Sequence, residues 1–164
     1  MAEIKVGWKR VLDAFDEWIQ YESSEFGPYT GYFSLNNLRD LMHSERLGWM
    51  HMMYDEMIPG RVEKCKNAGV AFEDFIPYMP DPEAREVVQS MIDLTQVLTD
   101  AMLAMSDTIH SMKEDYESGG FDDAVPYLTD LADAEENIRH HMSLFSQGFG
   151  KLEKMGLEMP DMES

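Results

Sequence analysis

Three side chains have the chemical types and the positions that a metal-dependent catalytic site requires. His43 and His141 each stand in an apolar stripe at helical spacing, which predicts that both rings point inward. Glu135 interrupts an apolar seam, where a carboxylate is costly unless it is paired, protonated or bound to metal. We therefore take His43 and His141 as candidate ligands of one divalent metal. Glu135 is a candidate third ligand or a catalytic general base on metal-bound water.

Each of these three residues also has a structural interpretation that the sequence leaves open. A histidine in an apolar stripe can be a core residue whose ring nitrogens are hydrogen-bonded within the protein. A glutamate in an apolar seam can form a salt bridge inside a polar layer of a helical bundle. For Glu135 the candidate partners are Arg39, Arg46 and Arg139.

A two-metal site is a further alternative, because two carboxylate-x-x-His pairs occur in the chain. Asp40 precedes His43 by three residues, and Asp107 precedes His110 in the same way, as in the ligand pairs of di-iron bundles. Asp107 also belongs to a set of acidic residues spaced seven apart, here called the acidic column. Its members are Glu86, Asp93, Asp100, Asp107 and Glu114. This regular spacing favours a solvated helix face over a metal site.

The overall charge excludes one class of partner and suggests another. The chain has 32 acidic and 13 basic residues, for a formal net charge of -19. Such a surface repels the phosphates of nucleic acids and of anionic lipids. It is compatible with an acidic protein that binds a basic partner, for example a DNA-mimic inhibitor. The single cysteine, Cys65, excludes an internal disulfide and a cysteine-cluster metal site.

Helical periodicity dominates the sequence, and strand signals are almost absent. The apolar spacing predicts one helix over about residues 4–24 and a second from Ser34 to Pro59-Gly60. A third begins at Asp81 and Pro82, which are good N-terminal signals, and ends before Gly119. A fourth runs from about Asp122 to Gly156. Each helix has one apolar stripe, so together they predict an all-α four-helix bundle.

The segment 59–82 decides the predicted topology. It contains several prolines and glycines, and it is long enough to cross the full length of a helix. We therefore predict a long crossover between helices 2 and 3, which would then run parallel. This crossover would bring His43 and His141 to the same level of the bundle. Residues 1–156 are predicted to form a single domain, and residues 157–164 a loose C-terminal tail.

Two stretches of the chain resemble a known family. Residues 33–43 form a serine-started helix that closes on a histidine, and they resemble the helix-two motif of the DinB-like (damage-inducible) four-helix-bundle superfamily. Later in the chain, His140-His141 with the following apolar residues is similar to that family's histidine helix. Gly156 and Pro160 are similar to its closing Gly-x-x-x-Pro motif.

The resemblance implies a bundle that holds one divalent metal (Zn, Ni or Fe) between helices two and four. His43 matches the first ligand of the family and His141 the last, while Asn137 occupies the position of the remaining histidine. Members are often dimers, and several transfer low-molecular-weight thiols or isomerise thiol conjugates. The resemblance therefore implies a metal-dependent protein that acts on a small-molecule or thiol substrate.

Two functional hypotheses follow from these observations. The first is a DinB-like, thiol-dependent transferase with one divalent metal. The second is a non-enzymatic acidic helical bundle that has lost the metal site and binds a basic protein partner. In either case we expect a cytoplasmic homodimer, with helix two as the contact, and no membrane association.

Overall fold

The computed structural model describes residues 2–156, and all regular secondary structure within this range is helical. The predicted all-α class is therefore confirmed. The predicted loose tail, 157–164, lies outside the described residues. No helix of the described range is long and apolar enough to cross a membrane.

The helices are more numerous and more interrupted than the four predicted, but they follow one another in four helical segments. The first segment contains α1 (Ala2–Gln20), a π-helix (Tyr21–Phe26), α2 (Gly27–Thr30) and a 3₁₀ turn (Gly31–Phe33). After α3 (Leu35–Arg39), the second contains α4 (His43–Met52), a π-helix (Met53–Met57) and α5 (Ile58–Phe75), followed by a 3₁₀ turn (Ile76–Tyr78). The third is α6 (Pro82–Gly119) alone, and the fourth contains α7 (Phe121–Ala124), α8 (Pro126–Ser143) and α9 (Phe145–Lys154).

Helix α6 illustrates how the local sequence sets the helix ends. The Asp81 carboxylate accepts a hydrogen bond from the backbone N–H of Ala84 at 2.8 Å, and Pro82 occupies the first turn. Both are strong N-terminal signals. At the other end the backbone of Gly120 has a φ of 102°, a conformation that only glycine adopts easily. The apolar seam predicted along this helix (Met91, Leu98, Met105 and Met112) is buried.

The predicted long connection at 59–82 is wrong, because most of it is helix α5. Pro59 lies in the first turn of α5, where its missing N–H is tolerated. Gly69 lies inside α5 at a close approach to α6, where an added Cβ would come within 2.7 Å of the Thr95 hydroxyl oxygen. The glycine therefore marks close helix packing and not a loop. Only residues 76–81 remain to connect α5 with α6.

The second and third segments consequently run antiparallel, and the predicted crossover between helices 2 and 3 is wrong as well. His43 contacts Tyr116, and Tyr54 contacts His110 further along. Cys65 then hydrogen-bonds the Thr95 carbonyl, so residue numbers rise on one segment as they fall on the other. A connection of six residues is enough for such antiparallel neighbours.

The core contains side chains from all four segments. Aromatic rings of α1 and α9 meet edge to face, with centroid distances of 5.0 Å for Phe15 and Phe149 and 5.8 Å for Trp8 and Phe149. The part of the second segment that was expected to contact a second protomer is largely used in this core. Five of its apolar side chains are buried within the chain itself: Trp49, Met50, Met53, Met57 and Ile58.

Candidate functional site

A cluster of buried charges around Arg61 lies in the middle of the protein. The Arg61 side chain is 0% exposed and donates two hydrogen bonds to each of two glutamates. The distances are 2.6 and 2.6 Å to Glu22, and 2.7 and 2.8 Å to Glu135. The guanidinium carbon also lies 4.1 Å from the centre of the Phe26 ring. Bidentate pairs of this kind combine strength with strict geometry. The buried charges of this cluster therefore fix three helical segments against one another.

The two π-helices position the partners of Arg61. The first carries Glu22 and Phe26, and the second ends at Met57, one turn before Arg61. A hydrogen bond of 2.6 Å from the Tyr21 hydroxyl to the Met57 carbonyl joins the two π-helices. Each π-turn contains about one residue more than an α-turn, so it changes which face the following side chains present. The π-helix geometry therefore points the side chains of Glu22 and Phe26 toward Arg61.

The charge cluster is close to neutral as a group. Burial alone lowers the pKa of Arg61, but the hydrogen bonds that Arg61 donates to Glu22 and Glu135 outweigh burial, and the net shift of the pKa is upward. Arg139 adds a second cation, since its Nε lies 3.3 Å from Glu135. Two carboxylates and two guanidinium groups thus balance, as a buried ionic group requires.

Glu135 therefore lies in a structural ion pair, which was the alternative left open for it. Of the three arginines considered from the sequence, Arg139 is a partner, and the main partner is Arg61, which was not considered. The role of catalytic base remains a prediction, but both carboxylate oxygens already accept hydrogen bonds from arginine. One signal in the sequence pointed to this cluster, because Glu22 continues the apolar stripe of α1 four residues after Trp18.

His43 lies at the end of the protein where α4 begins. Its side chain is exposed, and its ring stacks on Tyr116 with centroids 5.3 Å apart. The Nδ1 atom is 2.7 Å from the Tyr116 hydroxyl oxygen. The ring of His43 therefore does not point into the core, although the residue belongs to an apolar stripe in the sequence. Its nearest polar partner is the hydroxyl group of the buried Tyr116.

His141 lies far from His43 along the bundle. Its Nδ1 is 2.8 Å from the carbonyl oxygen of Asn137, one turn earlier in α8. Tyr127 hydrogen-bonds Asp115, which places the start of α8 at the level of His43 and Tyr116. His141 follows fourteen residues later, or about 21 Å further along the helix axis. The structure therefore does not bring the two candidate ligands together, because the antiparallel topology replaces the crossover that would have done so.

Two further histidines each lie beside a carboxylate four residues later in the chain, while the His140 ring packs edge to face against His141. His51 lies 2.8 Å from Asp55, and His110 lies 3.0 Å from Glu114. Among the side chains that the structure describes, no three of His, Cys, Asp or Glu are grouped so that they could hold a metal ion. The predicted divalent metal is therefore a proposal that needs its own test.

Cys65 is held as a protonated thiol in the core. Burial is the main cause that raises its pKa, to about 11. The sulfur donates a hydrogen bond to the Thr95 carbonyl at 3.3 Å and accepts one from the Thr99 hydroxyl at 3.5 Å. A thiol in this state is a poor nucleophile near neutral pH.

The acidic column lies on the outer face of α6, and all five of its members are exposed. Among the described residues, only Glu114 of the column has an ion-pair partner, which is His110. Asp93 accepts a hydrogen bond from the neutral Gln89 side chain at 3.0 Å. The predicted solvated acidic face is confirmed for these residues.

Comparisons with protein-family models, with curated proteins and with solved structures find no match for this chain.

Proposed function

We propose that this protein is a non-enzymatic, acidic four-helix bundle that binds a basic protein partner through α6. The observation that carries the proposal is the acidic column itself. Its members recur every seven residues, about 10.5 Å apart along the helix. From Glu86 to Glu114 the column therefore extends for about 42 Å.

The charge distribution supports a basic partner. The buried charges around Arg61 are balanced within the protein, whereas four of the five column carboxylates form no ion pair among the described residues. A linear array of one sign of charge accelerates encounter with oppositely charged partners and suppresses binding of like-charged ones. A protein that normally binds DNA phosphates is one such partner, since the column would take the place of the phosphates.

A pair of variants with equal net charge tests the proposal. The column variant carries Asp93→Lys, Asp100→Lys and Asp107→Lys. The control variant carries Asp130→Lys, Asp133→Lys and Glu136→Lys on α8, where the three side chains are also exposed. Calorimetric titration with a lysine-rich histone-tail peptide near physiological salt provides the readout. We expect the column variant to lose at least about tenfold in affinity and the control variant much less.

Two outcomes would contradict the proposal. Equal losses in the two variants would mean that net charge alone attracts the peptide. Absence of binding in the parent protein would remove the basic partner. A titration of the metal-free protein with Zn²⁺ and Ni²⁺ addresses the DinB-like alternative separately. Stoichiometric binding that is lost in both His43→Ala and His141→Ala would favour the metal-dependent transferase instead.

A further inference from the structure

One stripe of α6 combines acidic residues with an exposed apolar side chain. Its members follow spacings of three and four residues, so they lie in one line on the helix surface. They are Asp100, Leu103, Asp107, His110 and Glu114, and all five are exposed. Leu103 is 46% exposed, which is high for a leucine in a protein that buries most of its large apolar side chains.

A second apolar group stands beside the same stripe. Tyr54, 39% exposed, comes from the neighbouring helical segment and packs against the His110 ring with centroids 5.3 Å apart. His110 follows Leu103 by seven residues, so the two apolar points are about 10.5 Å apart along α6. Asp107 lies between them, and Asp100 and Glu114 lie at the two ends.

We propose that this stripe is the docking surface for a basic amphipathic helix. The occupant would present apolar residues at positions i and i+7, which contact Leu103 and the Tyr54–His110 pair. Lysine or arginine residues between and beside them would face Asp100, Asp107 and Glu114. This inference rests on the proposed function and names its contact surface.

Three observations favour a helix over an extended basic segment. The stripe from Asp100 to Glu114 is about 21 Å long, which equals four turns of helix. The apolar points have a heptad separation, which is the spacing of anchors on one face of a helix. Extended chains place residues about 3.3 Å apart, so an extended segment would need the two apolar side chains only about three residues apart.

Two peptides of identical composition provide the test. Each has about 16 residues of Lys, Ala and Leu, long enough to cover the stripe as a helix. In the patterned peptide two leucines are seven residues apart, and in the scrambled peptide they lie on opposite helix faces. Fluorescence anisotropy near physiological salt gives both affinities. We expect the patterned peptide to bind at least about fivefold more tightly, because only this peptide can bury both leucines against the stripe at the same time.

Single variants connect that preference to the stripe. Leu103→Ser should remove most of the difference between the two peptides. Val97→Ser is the matched control, because Val97 is 49% exposed on the same helix but outside the stripe. It should leave the difference unchanged.

The outcomes separate the two proposals. Equal binding of both peptides would overturn the docking surface and leave the proposed function intact. The docking surface would also be overturned if Val97→Ser lost the preference for the patterned peptide, or if Leu103→Ser kept this preference. If neither peptide binds, the proposed function fails together with this inference. Increased helicity of the patterned peptide on binding, measured by circular dichroism, would support the helical form.

Discussion

The buried charge cluster and the acidic column use the same residue types in opposite ways. Around Arg61, every carboxylate oxygen of Glu22 and Glu135 accepts a hydrogen bond from a guanidinium group. On the outer face of α6, only one of the five column carboxylates, Glu114, forms an ion pair among the residues that the structure describes. The first arrangement makes the fold specific, whereas the second leaves attraction available for a partner. The comparison indicates that burial, and not residue type, separates the acids that stabilise the fold from the acids that face solvent in this protein.

Removal of Arg61 should produce the largest effect. Arg61→Met removes the main cation from the buried Glu135 and the partly buried Glu22, and we expect a loss of about 3 to 5 kcal/mol in the free energy of unfolding. Urea denaturation followed by circular dichroism measures it. Arg139→Met is the control, because that side chain is 60% exposed and should matter much less.

A triple variant sharpens the same comparison. Arg61→Met combined with Glu22→Gln and Glu135→Gln removes the negative charges as well, so part of the lost stability should return. If the triple variant is less stable than Arg61→Met alone, the explanation by unpaired charge is wrong.

Substitution of Gly60 should have the next largest effect. A Cβ at this position would collide with the Tyr21 hydroxyl, the group that joins the two π-helices. We expect Gly60→Ala to cost about 1 to 3 kcal/mol in the free energy of unfolding, from the clash and the lost hydrogen bond. Gly48→Ala is a matched control, because an added Cβ has open space there. It should be neutral or slightly stabilising. Equal effects of the two substitutions would contradict the assigned role of Gly60.

Alkaline pH should lower the free energy of unfolding through ionisation of the buried thiol of Cys65. The pKa of Cys65 is raised to about 11, so the unfolded chain releases this proton at a lower pH than the folded protein. Stability is therefore unaffected below the unfolded pKa of about 8.5 and falls as the pH rises from there toward 11. The slope contributed by this thiol is at most about 1.4 kcal/mol for each pH unit.

Cys65→Ala tests this origin of the alkaline loss. The variant should flatten the decline in the free energy of unfolding between about pH 9 and 11, measured by urea titration. Tyr21, whose pKa burial raises to about 12, contributes in the same direction and remains in the variant. An unchanged slope in the variant would show that other groups cause the loss.

The smallest effect is expected on the outer face of α6. Asp100→Asn and Asp107→Asn reduce the repulsion between like charges and should raise the midpoint of thermal unfolding by about one or two degrees. The gain should shrink as salt increases, because exposed charges are screened. A gain that is independent of salt would indicate a cause other than charge repulsion.

The sequence predicted those features that depend on local signals. The Asp81-Pro82 start of α6 and its methionine seam are found as expected, because a cap and a heptad repeat are properties of neighbouring residues. Pro59 and Gly60 were misread as a break. Their tolerance depends on a π-helix before them and on Tyr21 from another segment, and neither is visible locally.

The candidate site was predicted less well for the same reason. Glu135 was singled out correctly as a carboxylate that needs a partner, but Arg61 was placed in a connection and so was not considered. That one error in topology also placed His43 and His141 at a common level. A single misassigned segment can thus move candidate ligands by tens of ångströms without changing the fold class.

The π-helix at Met53–Met57 makes the number of residues in the second segment as important as their identity. If the same residues wound as a regular α-helix, every side chain downstream would be rotated by about 100° relative to α4, because the π-turn takes up about one extra residue. Arg61 would then point away from Glu22, although the sequence would still contain every residue of the cluster. Relatives of this protein that keep the arginine should therefore either keep the π-helix with the same number of residues between Met50 and Arg61, or have one residue fewer there and a regular α-helix.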